Sequence, residues 1–291
     1  DKEMLEKIAI TAMTGKGSNE SKDHMAELAV KAVLSIMDEE NGISIDKTKP
    51  VTTVGLSGTL VNSWYNTAVT ITLASTDSLS GVERTNYRLE RGGIMISSGV
   101  YATPVTVSTD GLYTVYYYGI DKAGNTEIEN STVFKIDRTQ PQVSYMLVPA
   151  ANSNAWNNTA VQVVFNGTDT LSGVVECSSR TITAEGQSQA VAGWCRDIAG
   201  NTGYSTATVN IDLTSPVVIA AQNPAANVKG WNNSNVWVTF SGSDMLSGLL
   251  YCSPEKVISA EGAAQTVSGY CMDYPGNTST ATLTLNIDKT V

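Results

Sequence analysis

Asp212-Leu213-Thr214-Ser215-Pro216 is one of three near-copies of a tag, the others being Asp46-Lys47-Thr48-Lys49-Pro50 and Asp137-Arg138-Thr139-Gln140-Pro141. After each tag comes a Trp followed by Asn-containing turn residues (Trp64, Trp156, Trp231). Next comes an Asp that leads into Leu-Ser-Gly (Asp77, Asp169, Asp244). An Asp-x-Ala/Pro-Gly-Asn turn closes each copy, opening on Asp121, Asp197 and Asp273 and ending on Asn125, Asn201 and Asn277. With the start of a fourth copy at Asp288, the tags are 91, 75 and 76 residues apart. A self-similar period of this size marks an array of like modules. It suits a small β-sandwich and is too short for a TIM barrel.

Within each copy apolar residues recur with period two. Val161, Val163 and Phe165 precede the Leu-Ser-Gly turn, Val191, Gly193 and Cys195 precede the Gly-Asn turn, and Ala207, Val209 and Ile211 run into the next tag. That alternation, with a turn every ten residues or so, predicts antiparallel strands with one buried face. The first copy repeats it in Val69, Ile71 and Leu73 and in Tyr113, Val115 and Tyr117. Its extra length lies between Gly81 and Asp121, which predicts a longer middle hairpin around Gly92-Gly93.

Residues 1–45 follow another rule. Met4, Leu5, Ile8, Ala9 and Ala12, and then Met25, Leu28, Ala29, Ala32, Val33 and Ile36, recur at helical spacing around a Gly-rich break. The expectation is a helix–loop–helix with an apolar stripe on each arm, too small to bury both stripes alone. The expected fold is therefore mainly β: three tandem Ig-like antiparallel β-sandwiches after an N-terminal helical hairpin. Its divisions are 1–45, 46–136, 137–211, 212–287 and the start of a fourth repeat at 288–291. The chain opens on Asp1 and ends just inside a tag, so both ends read as cut ends of a longer protein.

The net charge is −10 with 16% charged residues. A nucleic-acid binder needs a basic stripe, so that class is set aside. The sequence also has no apolar run long enough for a membrane segment. Four cysteines fall in pairs, one pair in each of the last two repeats, which favours disulfides and an oxidising, extracellular setting. Sequons at Asn130, Asn157, Asn166, Asn232 and Asn277 fit that setting, and also fit chance in an Asn/Thr-rich chain.

The wording of two segments is familiar. Leu5-Glu6-Lys7-Ile8-Ala9-Ile10-Thr11-Ala12-Met13-Thr14-Gly15-Lys16-Gly17, with Lys22-Asp23-His24-Met25-Ala26-Glu27-Leu28-Ala29-Val30-Lys31-Ala32-Val33, resembles the group II chaperonins, the archaeal thermosomes. The resemblance implies a nucleotide-sensing loop with Lys16 near the terminal phosphate, in a cytoplasmic protein. The family's Gly-Asp-Gly-Thr-Thr phosphate loop does not occur in this sequence, and one Lys cannot hold a triphosphate and Mg²⁺. A chimera is the expected origin of the join near Ile43-Ser44-Ile45.

Residues 46–287 resemble the bacterial and archaeal Ig-like repeats of secreted and cell-surface proteins. This resemblance puts the third and sixth strands side by side in one sheet. It thereby implies Cys177–Cys195 and Cys252–Cys271 as same-sheet bridges, with Thr85 and Gly119 at the matching positions of the first repeat.

No catalytic constellation is legible. His24 is the single His of the chain and lies in the helical segment, so no Ser-His-Asp arrangement can form and the chain reads as a non-enzyme. The recurrent Asp residues have two readings. One is plain turn chemistry, with carboxylates capping nearby N–H groups. The other is Ca²⁺ held between loops by Asp46, Asp77, Asp121 and Asn125, and by their counterparts Asp137, Asp169, Asp197 and Asn201, and Asp212, Asp244, Asp273 and Asn277. The Trp residues likewise either plug the end of each sandwich or stack on sugars.

The leading expectation for function is a structural or adhesive extracellular stalk, with neighbouring repeats and a protein or glycan ligand as partners. Its short Pro-containing linkers should limit hinge freedom. The alternatives are a glycan-binding accessory module of a secreted hydrolase and a fragment of an ATP-dependent chaperonin fused to the repeats.

Overall fold

The structure is a computed structural model that describes residues 7, 10, 11, 22–36 and 45–290. It falls into two compact units, residues 1–137 and 138–291.

The expected N-terminal helical hairpin is corrected. Among the described residues one helix is delimited, α1 (Lys22–Ile36), and of the expected first arm only Lys7, Ile10 and Thr11 are described, each helical. Most of the expected first arm, and Lys16, lie outside the described residues. The stripe of α1 is only partly used: Ala26 and Val30 are buried while Met25 and Leu28 are half exposed. A paired helix would need to cover all four, and a segment of this length carries too little apolar surface to do so alone.

In the first unit the strands are β1 (Val51–Ser57), β2 (Leu60–Val61), β3 (Trp64–Tyr65), β4 (Val69–Thr76), β5 (Val82–Arg91), β6 (Ile94–Val100), β7 (Val105–Val107), β8 (Gly111–Asp121) and β9 (Asn130–Ile136). They form one sheet ordered β1-β4-β7 and a second ordered β2-β3-β9-β8-β5-β6. Strands β5 and β6 are the long hairpin expected around Gly92-Gly93. Both glycines there have positive φ, which the tight reversal requires.

In the second unit, β10 (Gln142–Val148), β11 (Val161–Thr168), β12 (Val174–Cys177), β13 (Ser179–Ile182), β14 (Gly186–Asp197) and β15 (Thr202–Ile211) make two sheets, β10-β11-β13 and β12-β14-β15. The plan recurs in β16 (Val217–Asn223), β17 (Val236–Ser243), β18 (Leu249–Cys252), β19 (Lys256–Ile258), β20 (Gly262–Asp273) and β21 (Thr278–Ile287), with sheets β16-β17-β19 and β18-β20-β21. All the pairings named within these sheets of the second unit are antiparallel.

The period-two pattern produces these sheets. In β11, Val161, Val163 and Phe165 are buried, and in β17, Val236, Val238 and Phe240 are their equivalents. Each repeat has its own core, centred on Val69, Ile71 and Val115, on Val161, Val163 and Val209, and on Val236, Val238 and Ile287. The Pro of each tag is buried at the mouth of its first strand (Pro50, Pro141, Pro216). Small residues make room for large ones across the core: a Cβ on Gly193 would lie 2.1 Å from the Phe165 ring, and one on Gly269 2.4 Å from Phe240.

The cystines are Cys177–Cys195 and Cys252–Cys271, with Cα atoms 4.0 Å apart in each. In both cases the two Cys are register partners on neighbouring strands of one sheet. Each closes a short loop, which stabilises a small β-module by roughly 3 kcal/mol in the loop-entropy model. Among the described residues no helix is long and apolar enough to cross a membrane.

Candidate metal centres and the repeat junction

Each Asp of interest sits where a strand ends or a linker begins, and there its carboxylate organises a turn. Asp77 lies between β4 and β5. Its Oδ1 accepts the amides of Leu79 at 3.1 Å and Gly81 at 2.8 Å. Asp169 does the same for Leu171 and Gly173, and Asp244 for Leu246, Ser247 and Gly248. Positive φ at Gly81, Gly173 and Gly248 lets the turn curl back onto the carboxylate. The Asp that ends the long strand is more deeply placed. Asp121, Asp197 and Asp273 are buried, and each accepts from the amide and from the side-chain Nδ2 of the Asn four residues on.

The linker Asp then joins these two turns. Asp46 Oδ2 accepts Ser80 N at 2.9 Å, and its carbonyl accepts Asn125 Nδ2 at 3.0 Å. Asp212 repeats this with Ser247 N and Asn277 Nδ2. As a result one carboxylate oxygen from each of Asp46, Asp77 and Asp121 lies within 4.8 Å of the others. Asp212, Asp244 and Asp273 are gathered in the same way. Asp137 is buried at the end of the first unit, where its amide donates to Tyr65 O at 2.9 Å.

Three carboxylates at that spacing repel one another unless a proton or a cation stands between them. The electrostatics differ by member. The Ser80 hydrogen bond lowers the Asp46 carboxyl below its ordinary value, against burial, with Thr48 helping. Burial pushes Asp244 up, but the amides of Gly248, Leu246 and Ser247 outweigh it and the net shift is down. Asp273 is raised: burial leads, the Asn277 and Gly276 hydrogen bonds oppose it, and the Asp212 charge adds to it. Asp77 Oδ2 is buried and has no hydrogen-bond partner. A carboxylate with one orphaned oxygen, grouped with two further carboxylates, is a donor set that fits a hard cation.

The aromatic residues divide. Trp64 and Trp156 are buried, at 9% and 7% exposure, as plugs would be, whereas Trp231 is 37% exposed. The sequons divide as well. Asn157 and Asn232 are buried and donate to Pro149 O and Pro224 O, so neither is open to a glycan.

Sequence reasoning missed the residues that stitch the third repeat to the second. Glu185 Oε1 accepts Leu213 N at 2.6 Å and Thr214 Oγ1 at 2.8 Å. Asn152 Nδ2 donates to Tyr274 O at 2.8 Å and to Pro275 O at 3.2 Å, and Asn154 Nδ2 also reaches Tyr274 O. The signal was present. Ala184-Glu185-Gly186 recurs as Ala260-Glu261-Gly262, and Ala150-Ala151-Asn152 recurs as Ala225-Ala226-Asn227.

Comparison with known proteins gives partial likenesses. No protein-family model matches the chain. Thermosome subunits are similar over short stretches. The Methanopyrus kandleri subunit is 57% identical over 42 residues, 14% of this chain and 8% of that protein. The Methanocaldococcus jannaschii subunit is 49% identical over 47 residues, 16% and 8% of the two chains. The Halobacterium salinarum alpha subunit is 34% identical over 110 residues, 37% and 19%. The chain thus spans about a tenth of the length of the first curated relatives it matches, between 8% and 11%.

Among solved structures, one from a 1.5-MDa bacterial ice-binding adhesin has a TM-score of 0.36 at 14% identity, covering 84% of this chain and 99% of that one. A tetra-tandem repeat from the extending region of a large adhesion protein has a TM-score of 0.33 at 15% identity, covering 84% and 76%.

Proposed function

We propose that residues 46–287 are a non-catalytic, Ig-like spacer of a cell-surface or secreted protein, presenting an adhesive or other domain. The supporting observation is the stitched junction within the second unit. A spacer transmits position only if its modules do not swing freely. Here Glu185, Asn152 and Asn154 tie the linker and the Tyr274-Pro275 turn of the next repeat to the repeat before it. The two cystines favour an oxidising compartment.

Ca²⁺ is the cation whose chemistry suits the Asp sets. It takes several hard oxygen ligands in flexible geometry, and the carboxylates come from three separate turns. Asp46, Asp77 and Asp121 would hold one ion, and Asp212, Asp244 and Asp273 another. Asp137, Asp169 and Asp197 are the matching residues of the middle repeat.

The thermosome-like stretch is a short chaperonin-like piece joined to the array. Nucleotide chemistry would need a phosphate loop that the sequence does not carry. A glycan-binding role would be favoured by a row of exposed stacking aromatics, and of the three recurrent Trp residues two, Trp64 and Trp156, are buried while Trp231 alone is exposed.

Residual dipolar couplings on the protein, combined with a glycan array, test the reading. The repeats at 137–211 and 212–287 should report a single alignment tensor, and the array should show no sugar retained. Two independent tensors, or specific sugar binding, would overturn it.

A further inference from the structure

The third repeat carries, on its far end, the same construction that the second repeat uses to receive its neighbour. Asn227 Oδ1 accepts Lys229 N and Trp231 N, as Asn152 Oδ1 accepts Asn154 N and Trp156 N. Asn286 Nδ2 donates to Gly230 O at 2.9 Å, as Asn210 Nδ2 does to Ala155 O at 2.8 Å. Glu261 Oε1 accepts Lys289 N, as Glu185 accepts Leu213 N.

What differs is cover. On the second repeat the Tyr274-Pro275 turn sits on Asn152, and Trp156 is 7% exposed. On the third repeat the matching Trp231 is 37% exposed, and Val228 beside it is fully exposed. Local backbone does not explain the contrast, because the hydrogen bonds that set the loop are the same in both. An outward-facing repeat that merely caps an array shows a polar end. This end instead shows a Trp and a Val, with an Asn amide beside them, and Trp is over-represented where partners dock.

We propose that the face formed by Asn227, Val228 and Trp231 is a docking surface for the Asp-x-x-Gly-Asn turn of a further module of this same type. Two successive backbone carbonyls before the Gly-Asn of that turn would accept from Asn227 Nδ2, as Tyr274 O and Pro275 O accept from Asn152. The apolar body of the turn would close over Trp231. The contact is head-to-tail, so each docked module presents the same face again. It rests on the junction geometry and holds whatever the array presents.

The test adds a second copy of residues 212–287 directly after Ile287 and follows acrylamide quenching of Trp231. The Trp231 signal is taken as the difference between each protein and its Trp231→Phe variant. Added copies should cut quenching about fivefold, the ratio of 37% to 7% exposure, and Asn227→Asp in the extended protein, which keeps the loop acceptor and removes the Nδ2 donor, should reverse much of that. Unchanged quenching beside a folded copy would overturn the proposal. A second measurement needs no extension. In the existing chain, Asn152→Asp, which keeps the Oδ1 acceptor of the loop and removes the donor to Tyr274 O and Pro275 O, should raise quenching of Trp156, read against Trp156→Phe. A Trp156 that stays shielded would show that the turn is not what covers it, and the proposal would fall with its premise.

Discussion

Thr85 stands across the ladder from Gly119 at the register positions where Cys177 faces Cys195 and Cys252 faces Cys271. In place of a cystine the first repeat has a chain of polar groups. Thr85 Oγ1 meets Ser75 Oγ at 2.7 Å, Ser75 Oγ meets Thr52 Oγ1 at 2.7 Å, and Thr52 Oγ1 donates to Glu127 Oε2 at 2.5 Å. The carboxylate accepts only, so the hydroxyl protons all point towards Glu127, which also accepts Gly119 N at 2.9 Å. A Cys in place of Gly119 would be tight: an added Cβ would lie 3.1 Å from Pro50 and from Thr52 Oγ1, so these neighbours would have to give by a few tenths of an ångström.

It follows that reductant should destabilise the second unit alone. Opening either cystine is expected to cost roughly 3 kcal/mol in its repeat. Thr52→Val should cost about 1–3 kcal/mol in the first unit, by leaving the carboxylate and Ser75 short of a partner. Thermal unfolding with and without reductant, followed by probes in each unit, checks both. A first-unit transition that moves with reductant would contradict the assignment.

Gly193 has an ordinary backbone conformation for a strand, so its requirement is spatial. The Phe165 ring occupies the place of its missing side chain. Gly193→Ala should therefore destabilise the middle repeat by about 1–3 kcal/mol through overpacking. Adding Phe165→Leu should recover part of the loss, giving a non-zero coupling in a double-mutant cycle on melting. Additive effects would show that the glycine serves some other end.

The repeat period made the antiparallel sheets legible, because period-two burial and fixed turns leave few alternatives. The cystines were legible once neighbouring strands could be named. The helical hairpin was not realised among the described residues, because helical spacing alone does not supply a partner for a stripe such as Met25 and Leu28. The carboxylate sets were legible as recurring Asp, while the orphaned oxygen on Asp77 was not, since that depends on where neighbouring turns bring their amides. Glu185 and Asn152 escaped notice because a polar residue in a loop looks ordinary until a neighbouring module is seated on it.

Asp77 separates turn chemistry from cation binding. Its Oδ1 caps the turn, and its Oδ2 has no partner. Asp77→Asn keeps an acceptor for the turn and removes the charge, whereas Asp77→Ala removes both. If the first unit binds Ca²⁺, both variants should lose a calcium-dependent rise in melting temperature. Only the alanine variant should also melt lower in chelator, by about 1 kcal/mol. An Asn variant that keeps the full calcium response would return Asp77 to turn chemistry.

The acid limb of the second unit gives a separate reading of the same chemistry. Asp244 is held below its ordinary value of 3.8 by three amides, despite burial. Its stabilising contribution is therefore present above that value and lost as pH falls through the lowered one. Asp273 behaves oppositely. Burial, with the Asp212 charge adding to it, raises its carboxyl above 3.8, so the native state holds a proton that the unfolded chain releases. In that interval the native state binds more protons, and stability falls as pH rises. In chelator the second unit should thus be most stable near the ordinary carboxylate value and weaken from there towards the raised value of Asp273. Asp273→Asn should flatten that decline. Excess Ca²⁺ should flatten it too, because the cation takes over the neutralising role of the proton, and calcium should be released as pH falls through the same interval. Melting temperature against pH, in chelator and in calcium, reads both effects. An identical decline in the two conditions would mean that the Asp212, Asp244 and Asp273 set does not exchange its proton for the cation.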